Sequence, residues 1–320
     1  MADLVVPPSG TRSSRSRGQL ILIAAFALAA IFLGLAVLVN SAIFTENLAT
    51  RGENVESTEA LDYRYGVTQF TAEVIDFANE HNYSSHATVN ENVSDGIQDV
   101  STYTGIQQIE GGTAISLVHV DTTNGTRIFQ NDGNSFTNNQ SDPDWTLAED
   151  LEHVRAFELT DTSFTGTLSV IVEDGSDEWT ADINDTAVTV TRPDGTTTVC
   201  SYGSIESVDI TGATVNGLPC PALEDTRNGE QMQFATGISG VYDLRFEGGN
   251  SVTGDYSLVA EDGTSDGVSD IDSSDYADIG GPGTGPHNTP AVYSITLEVE
   301  YETSRLEYET DVIVAPGEPE

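Results

Sequence analysis

The C-terminal stretch "AVYSITLEVEYETSRLEYETDVIV", residues 291–314, decides the fold class. Large apolar side chains alternate with polar ones on both sides of a short polar break at Arg305. This period of two is typical of antiparallel strands that have one face on a core and the other face in water. The stretch therefore predicts a C-terminal β-hairpin over residues 291–315.

A similar alternation begins near residue 110 and continues through most of the chain. The dipeptides Asn124-Gly125 and Asp194-Gly195 are typical of tight hairpin turns, because both residues tolerate positive φ. We also expect "VYDLRFEG" (241–248) to pair with "DYSLVAED" (255–262) across a Gly-rich loop. These patterns predict a β-rich domain over residues 81–262, to which the C-terminal hairpin belongs.

Upstream of the strands, apolar residues recur at steps of three and four, as on one face of a helix. They are Ala60, Tyr63, Val67, Phe70, Val74 and Phe77. This spacing predicts an amphipathic helix within residues 40–80. We expect its apolar stripe to pack against the sheet of its own domain, since it is too short to require a coiled coil.

Residues 20–39, "LILIAAFALAAIFLGLAVLV", contain no charged side chain. Twenty helical residues reach across a hydrocarbon core of about 30 Å, and a cleaved secretory signal is usually shorter. Arg12, Arg15 and Arg17 precede the run, so residues 1–19 form a basic leader that the positive-inside rule places in the cytoplasm. The sequence therefore predicts a single-pass protein of the cell membrane with its C-terminal domain outside the cell.

The junction between the basic leader and the apolar run is the pair Gly18-Gln19. Basic residues, then Gly, then a polar residue that opens an uncharged helix resemble the type IV prepilin or class III signal of archaea. The resemblance implies cleavage after Gly18, with the apolar helix retained for assembly with other pilin-like subunits. The fifth residue after Gly18 is Ile23, where that family often has Glu. An uncut signal anchor is therefore the alternative.

The chain is strongly acidic: 52 Asp and Glu residues face 11 basic residues, and its formal net charge is −41. All the basic residues are Arg. Such a surface repels the phosphates of nucleic acids, which excludes them as partners. It also repels itself unless salt screens it, which predicts a protein from a salt-loving cell. We expect the domain to lose structure in low salt, as circular dichroism would record.

Residues 263–290 form an acidic segment rich in Gly, Asp and Ser, which we interpret as a loop or linker. It contains a partial calcium-binding pattern, but Ser273 stands where an EF-hand loop has Glu. We favour a solvated linker without a cofactor, and Ca²⁺ is the alternative. The candidate ligands are Asp262, Asp266, Asp270, Asp272 and Asp275.

An enzymatic role is not expected. "GTSDG" (263–267) matches the serine nucleophile elbow around Ser265, but that elbow requires a following helix and a parallel sheet. The histidines do not form a metal-ligand set, and the sequence contains no phosphate loop or dinucleotide fingerprint.

Two kinds of covalent modification are expected outside the cell. Cys200 and Cys220 are candidates for a disulfide, with two buried free thiols as the alternative. Five Asn-x-Ser/Thr sequons are candidate glycosylation sites. Their asparagines are Asn82, Asn92, Asn124, Asn139 and Asn184.

The predicted fold class is α+β: an N-terminal transmembrane helix that continues into an amphipathic helix, followed by an antiparallel, sandwich-like β-rich extracellular domain. The predicted function is that of a pilin-like structural subunit at the cell surface. The alternative is an uncleaved surface glycoprotein that binds another surface protein or adheres through its β-rich domain.

Overall fold

A computed structural model describes residues 57–81, 84–110, 113–224, 235, 240–261, 272–279 and 285–318. The chain divides into two compact units, Met1–Leu61 and Asp62–Glu320, and the contacts discussed below lie within the second unit. Two α-helices occur in the described residues, α1 over 57–81 and α2 over His86–Glu110.

The rest of the described chain is mainly β-structure. Its strands in chain order are β1 (Ala114–Gln130), β2 (Trp145–Leu151), β3 (Val154–Phe164), β4 (Leu168–Glu173), β5 (Glu178–Asn184), β6 (Ala187–Thr191), β7 (Thr197–Ser201), β8 (Val208–Asp209), β9 (Thr214–Val215), β10 (Leu218–Pro219), β11 (Tyr242–Glu247), β12 (Val252–Glu261), β13 (His287–Glu302) and β14 (Glu307–Val314).

These strands form two antiparallel sheets. Sheet A has eight strands in the order β10-β9-β8-β3-β12-β1-β13-β14, and sheet B has six in the order β2-β11-β4-β5-β6-β7. The last two strands of sheet A are the C-terminal hairpin predicted from the alternation of residues 291–314. The predicted turn at Asp194-Gly195 also joins two paired strands, β6 and β7, and Gly195 has φ +79°.

The main apolar core lies between the two sheets. Phe246 of sheet B is its centre: its ring lies 5.3 Å from that of Tyr256 on sheet A and 5.7 Å from that of Phe136. Trp145 meets Phe246 edge to face at 6.2 Å. All four side chains are buried, so the sheets pack as a sandwich with an aromatic centre.

The two helices pack on sheet A, where α2 contacts β1 and β13. Tyr63 of α1 lies 6.0 Å, ring to ring, from Tyr301 of β13. Because side chains alternate along a strand, residues of β13 in phase with Tyr301 point towards the helices. The second described unit therefore has three layers: helices, sheet A and sheet B.

A β-bulge in β3 determines which of its side chains lie on each face of sheet A. The register with β12 shifts between the pairs Ser257↔Glu158 and Val259↔Arg155, and Ala156 has φ +50°. An extra residue in one strand changes which face the following side chains occupy. Consequently Phe157 joins the sandwich core, while Arg155 points to the other face.

The predicted α+β class is wrong. The described chain is mainly β, with two antiparallel sheets and two helices. Neither of these helices is long and apolar enough to cross a membrane. The apolar run 20–39 lies outside the described residues.

The region predicted as β-rich from residue 81 begins with a helix, α2. Its buried apolar residues, Val89, Val93 and Ile97, are spaced four apart and form a very narrow stripe. Many of the other residues are Asn, Ser, Thr and Val, which have modest helix propensity. The helical signal in the sequence is therefore weak, and packing on sheet A compensates for it.

The predicted turn at Asn124-Gly125 is wrong. Both residues lie inside the continuous strand β1, which pairs with β13 on one side and, at Gly125, with β12 on the other. A Cβ atom on Gly125 would lie 2.5 Å from the carbonyl oxygen of Ala260. Glycine is required here because another strand passes close to it, and the chain does not turn.

Two further predictions are wrong because contacts between residues distant in the sequence determine burial and strand pairing. Phe70 and Phe77, predicted to lie on the buried stripe of α1, are 55% and 64% exposed. The segments predicted to pair with each other became β11 and β12, which lie in different sheets. There β11 pairs with β2 and β4, while β12 pairs with β1 and β3.

Candidate functional site

The layer formed by α1 and α2 is the candidate functional site, because it has polar anchors on its inner side and an aromatic groove on its outer side. The first anchor is Asn79 of α1, which is 2% exposed. Its Nδ2 donates to the carbonyl oxygen of Val292 at 2.9 Å, and its Oδ1 accepts from the Val292 amide at 2.8 Å. One amide side chain thus satisfies both backbone groups of a buried residue in β13.

The second anchor is Arg155 of β3, whose side chain is fully buried. Its guanidinium donates to the carbonyl oxygens of Val292, Tyr293 and Pro316. One nitrogen also lies 3.6 Å from a carboxylate oxygen of Asp76 on α1. The planar fork of arginine suits several fixed acceptors at once, so Arg155 ties helix α1, strand β13 and the C-terminal segment together.

Burial shifts the pKa of both members of this ion pair. Loss of hydration lowers the pKa of Arg155, which the charge of Asp76 opposes. Desolvation likewise raises the pKa of Asp76, which Arg155 opposes. Arg155 remains charged despite this shift, because arginine does not lose its proton in proteins. It therefore continues to attract Asp76, and this attraction helps to orient α1.

An open groove of about 620 Å³ runs between the outer sides of α1 and α2. Phe70 and Phe77 of α1 line it, together with Asn92, Asp95 and Asp99 of α2. The ring of Phe77 stacks on His81 at 4.2 Å between centroids. The groove therefore combines exposed aromatic surface with a rim of carboxylates.

The two helices approach closely at the base of this groove because α2 has a glycine there. A Cβ atom on Gly96 would lie 2.6 Å from Cγ1 of Val74 on α1. On α2, the side chain of His86 also contacts the carbonyl oxygen of Gly125 at 2.9 Å. The positions of both helices, and hence the shape of the groove, are fixed by sheet A and by each other.

The predicted metal ligands are only partly within the described residues. Asp262, Asp266 and Asp270 lie outside them, as does Ser265. Asp272 and Asp275 are brought together on an open polar cleft of about 480 Å³ that Asp144 and Glu149 also line. The candidate set is thus split, and the described part offers two of its five carboxylates.

The two described carboxylates already have partners within the protein. Asn138 donates to Asp275 at 2.7 Å, and the amide of Ser274 donates to Asp272 at 2.9 Å. Desolvation raises the pKa of Asp275, while the hydrogen bond from Asn138 opposes this shift. Through these contacts both carboxylates stabilise the loop in which they lie.

A histidine–carboxylate cluster was missed at the sequence level. His153, immediately before β3, contacts Glu261 at the end of β12, and Glu152 lies beside them. The hydrogen bond to Glu261 raises the pKa of His153. The two partners are more than a hundred residues apart in the sequence, so local spacing gave no signal for this cluster.

The structure places the five sequons in different environments. Asn92 lies exposed on α2, Asn139 lies exposed in a loop, and Asn184 is half-buried where β5 meets β6. Asn124 is half-buried inside β1, and its Oδ1 accepts from Asn90 at 3.0 Å. Asn82 lies outside the described residues.

The remaining candidate residues concern covalent processing. Cys200 and Cys220 are joined in a disulfide with a Cα–Cα distance of 5.7 Å, which ties β7 to the segment after β10. Gly18 and Gln19, the candidate cleavage pair, lie outside the described residues.

Comparison with known proteins adds one finding. Residues 14–141 are similar to a family of unknown function, DUF7261. The similar region is less than half of the chain and includes the apolar run 20–39, both helices and β1. No curated protein and no solved structure matches the chain.

Proposed function

We propose that this protein is a membrane-anchored, salt-adapted cell-surface protein that serves as a pilin-like structural subunit. The observation that carries the proposal is the order of features at the N-terminus. Three arginines precede Gly18-Gln19, and an uncharged run of membrane-spanning length, 20–39, follows at once. A peptidase that cuts after Gly18 would leave this run at the new N-terminus, free to pack with other subunits.

The attachment of α1 supports a structural role. A subunit anchored at one end must carry force from its apolar segment to its folded domain, and α1 is the first described element after that segment. Asn79 fixes α1 to β13 with two directional hydrogen bonds to the backbone of Val292. Arg155 bonds to the same carbonyl and lies 3.6 Å from Asp76 of α1. Such bonds resist sliding of the helix, which apolar contact alone resists less.

A second candidate function is that of an uncut surface glycoprotein that binds a partner through its β-rich domain. Ile23 at the fifth position after Gly18 favours it, because pilin-like subunits often have Glu there. Under this alternative, residues 20–39 serve as a permanent anchor with the N-terminus in the cytoplasm.

The mature N-terminus distinguishes these two functions. We expect mass spectrometry of protein purified from its native membrane to find a chain that begins at Gln19. A Gly18→Val variant should keep the leader, while Gly10→Val, upstream of the arginines, should be processed normally. A chain that begins at Met1 or Ala2 would contradict the subunit proposal and leave the uncut anchor.

A further inference from the structure

The groove between α1 and α2 exposes aromatic surface that a folded protein in water usually covers. Phe70 and Phe77 are both more than half exposed, although neighbouring residues of α1 are buried against sheet A. Exposed apolar patches of this kind mark a binding surface or a site of aggregation. The groove volume of about 620 Å³ lies within the range of sites that bind small molecules.

One of the residues that line this groove is also a candidate attachment point. Asn92 heads the sequon Asn92-Val93-Ser94, and its side chain is exposed. Val93 between them is buried and belongs to the packed face of α2. The sequon therefore lies on α2, one of the two helices that form the walls of the groove.

We propose that an oligosaccharide attached to Asn92 lies in this groove and covers Phe70 and Phe77. This inference rests on the proposed function, because glycan transfer requires the domain to be outside the cell. The C–H faces of sugar rings pack on the exposed aromatic rings. The carboxylates of Glu73, Asp95 and Asp99 accept hydrogen bonds from sugar hydroxyls.

The charge of the protein argues against a second copy as the occupant. The groove is rimmed by carboxylates, and the whole chain has a formal net charge of −41. Another copy would bring like charges against this rim, which costs free energy even where salt screens distant charges. A glycan without acidic groups meets no such repulsion, and its attachment at Asn92 keeps it at high local concentration.

The order of events follows from the geometry of the sequon. In a helix, Asn92 and Ser94 lie about 200° apart around the axis, given 3.6 residues per turn. A transferase that must grip both residues therefore acts before α2 has formed. Once α2 forms, the glycan is already attached at the edge of the groove.

The first test is glycopeptide mass spectrometry on the full chain from its native cell. We expect a glycan on the peptide that contains Asn92, and its loss in a Ser94→Ala variant. Ser94→Thr keeps the sequon and should keep the glycan. Alanine favours helix more than serine does, so a loss of structure or solubility in Ser94→Ala would point to the missing glycan.

The second test asks whether the glycan covers the groove. Binding of a hydrophobic fluorescent dye should increase in Ser94→Ala and return to the wild-type level in Ser94→Thr. An Asn139→Gln variant removes a sequon that is not in the groove and should leave dye binding unchanged. Phe77→Ala combined with Ser94→Ala should remove most of the added dye binding.

Three outcomes would overturn the inference. Glycans on Asn139 or Asn184 with none on Asn92 would reject it and leave the extracellular location intact. A glycan on Asn92 whose loss does not change dye binding would reject the covering role. A chain without any glycan would reject the inference, while the mature N-terminus would still decide the proposed function separately.

Discussion

The face of sheet A that meets sheet B is an apolar and aromatic core, whereas the face that meets the helices contains buried polar anchors. Phe246 of sheet B packs against Phe136 and Tyr256 at the first face. Asn79 and Arg155 bond to backbone groups on the second. Apolar burial supplies most of the free energy of folding but has little directionality. The hydrogen bonds on the other face fix where α1 lies against β13.

The largest expected effect is on the apolar face. Phe246→Ala should lower the free energy of unfolding by about 3–5 kcal/mol, because it leaves a cavity among four aromatic rings. Denaturant unfolding at constant high salt measures the change. Tyr103→Ala, at an aromatic ring of α2 that is 69% exposed and lies outside the groove, is the control and should cost less than about 0.5 kcal/mol. Equal losses in the two variants would contradict the assignment of the core to the space between the sheets.

The next effect is on the polar face. Asn79→Leu keeps a similar volume but removes the side-chain acceptor of the Val292 amide and one of the two side-chain donors to the Val292 carbonyl, so we expect a loss of about 1–3 kcal/mol. Hydrogen exchange should show that α1 loses protection while β4 and β5 keep theirs. Gln69→Leu, on the exposed side of α1, is the control. Uniform loss of protection across both sheets would show that the helix face is not an independent layer.

A smaller effect is expected on the C-terminal hairpin, where acids face one another directly across the strands. Glu300 is opposite Glu309, and Glu302 is opposite Glu307. Neutralising the first pair with Glu300→Gln and Glu309→Gln should stabilise the protein by about 0.2–1 kcal/mol. Thermal unfolding should show that this gain grows as salt is lowered. If Glu91→Gln on α2 gives the same gain, the effect belongs to the net charge and not to the strand pair.

The smallest effect is a pH dependence at the edge of sheet A. Because Glu261 raises the pKa of His153 above 6.5, protonated His153 stabilises the folded state. This contribution is complete below about pH 6.5 and is lost as the pH rises through the raised value. His153 is half exposed, so the pair contributes less than about 1 kcal/mol.

The difference in unfolding free energy between wild type and His153→Gln, followed against pH, measures this contribution. It should shrink as the pH rises, and most of this trend should disappear when the same comparison is made in a Glu261→Gln background. A difference that stays constant with pH would show that the ion pair does not stabilise the fold.

Local patterns predicted those elements whose partners are close in the sequence. The alternation in residues 291–314 predicted the C-terminal hairpin, and Asp194-Gly195 predicted the turn between β6 and β7. Steps of three and four predicted a helix at α1. In each case residues that are close in the sequence determine which element forms, because side-chain period and turn conformation are local properties.

The sequence predicted some residues of the candidate site but not the groove that they form. The sequence supplied the sequon at Asn92 and the aromatic residues of α1, but it placed Phe70 and Phe77 on the buried stripe. Nothing local indicated that α2 would form, or that Gly96 would let it pack against Val74. The groove exists because α1 and the weakly patterned α2 lie side by side on one sheet.

By itself the sequence determined the acidic surface, the period of the main strands and the existence of α1. Only the tertiary structure decided the role of Gly125, the bulge at Ala156 and the burial of Arg155. These features depend on residues that meet across the sheet from more than a hundred positions away. A charge or a period can be read from a short stretch of chain, but a close approach between distant strands is a property of the whole fold.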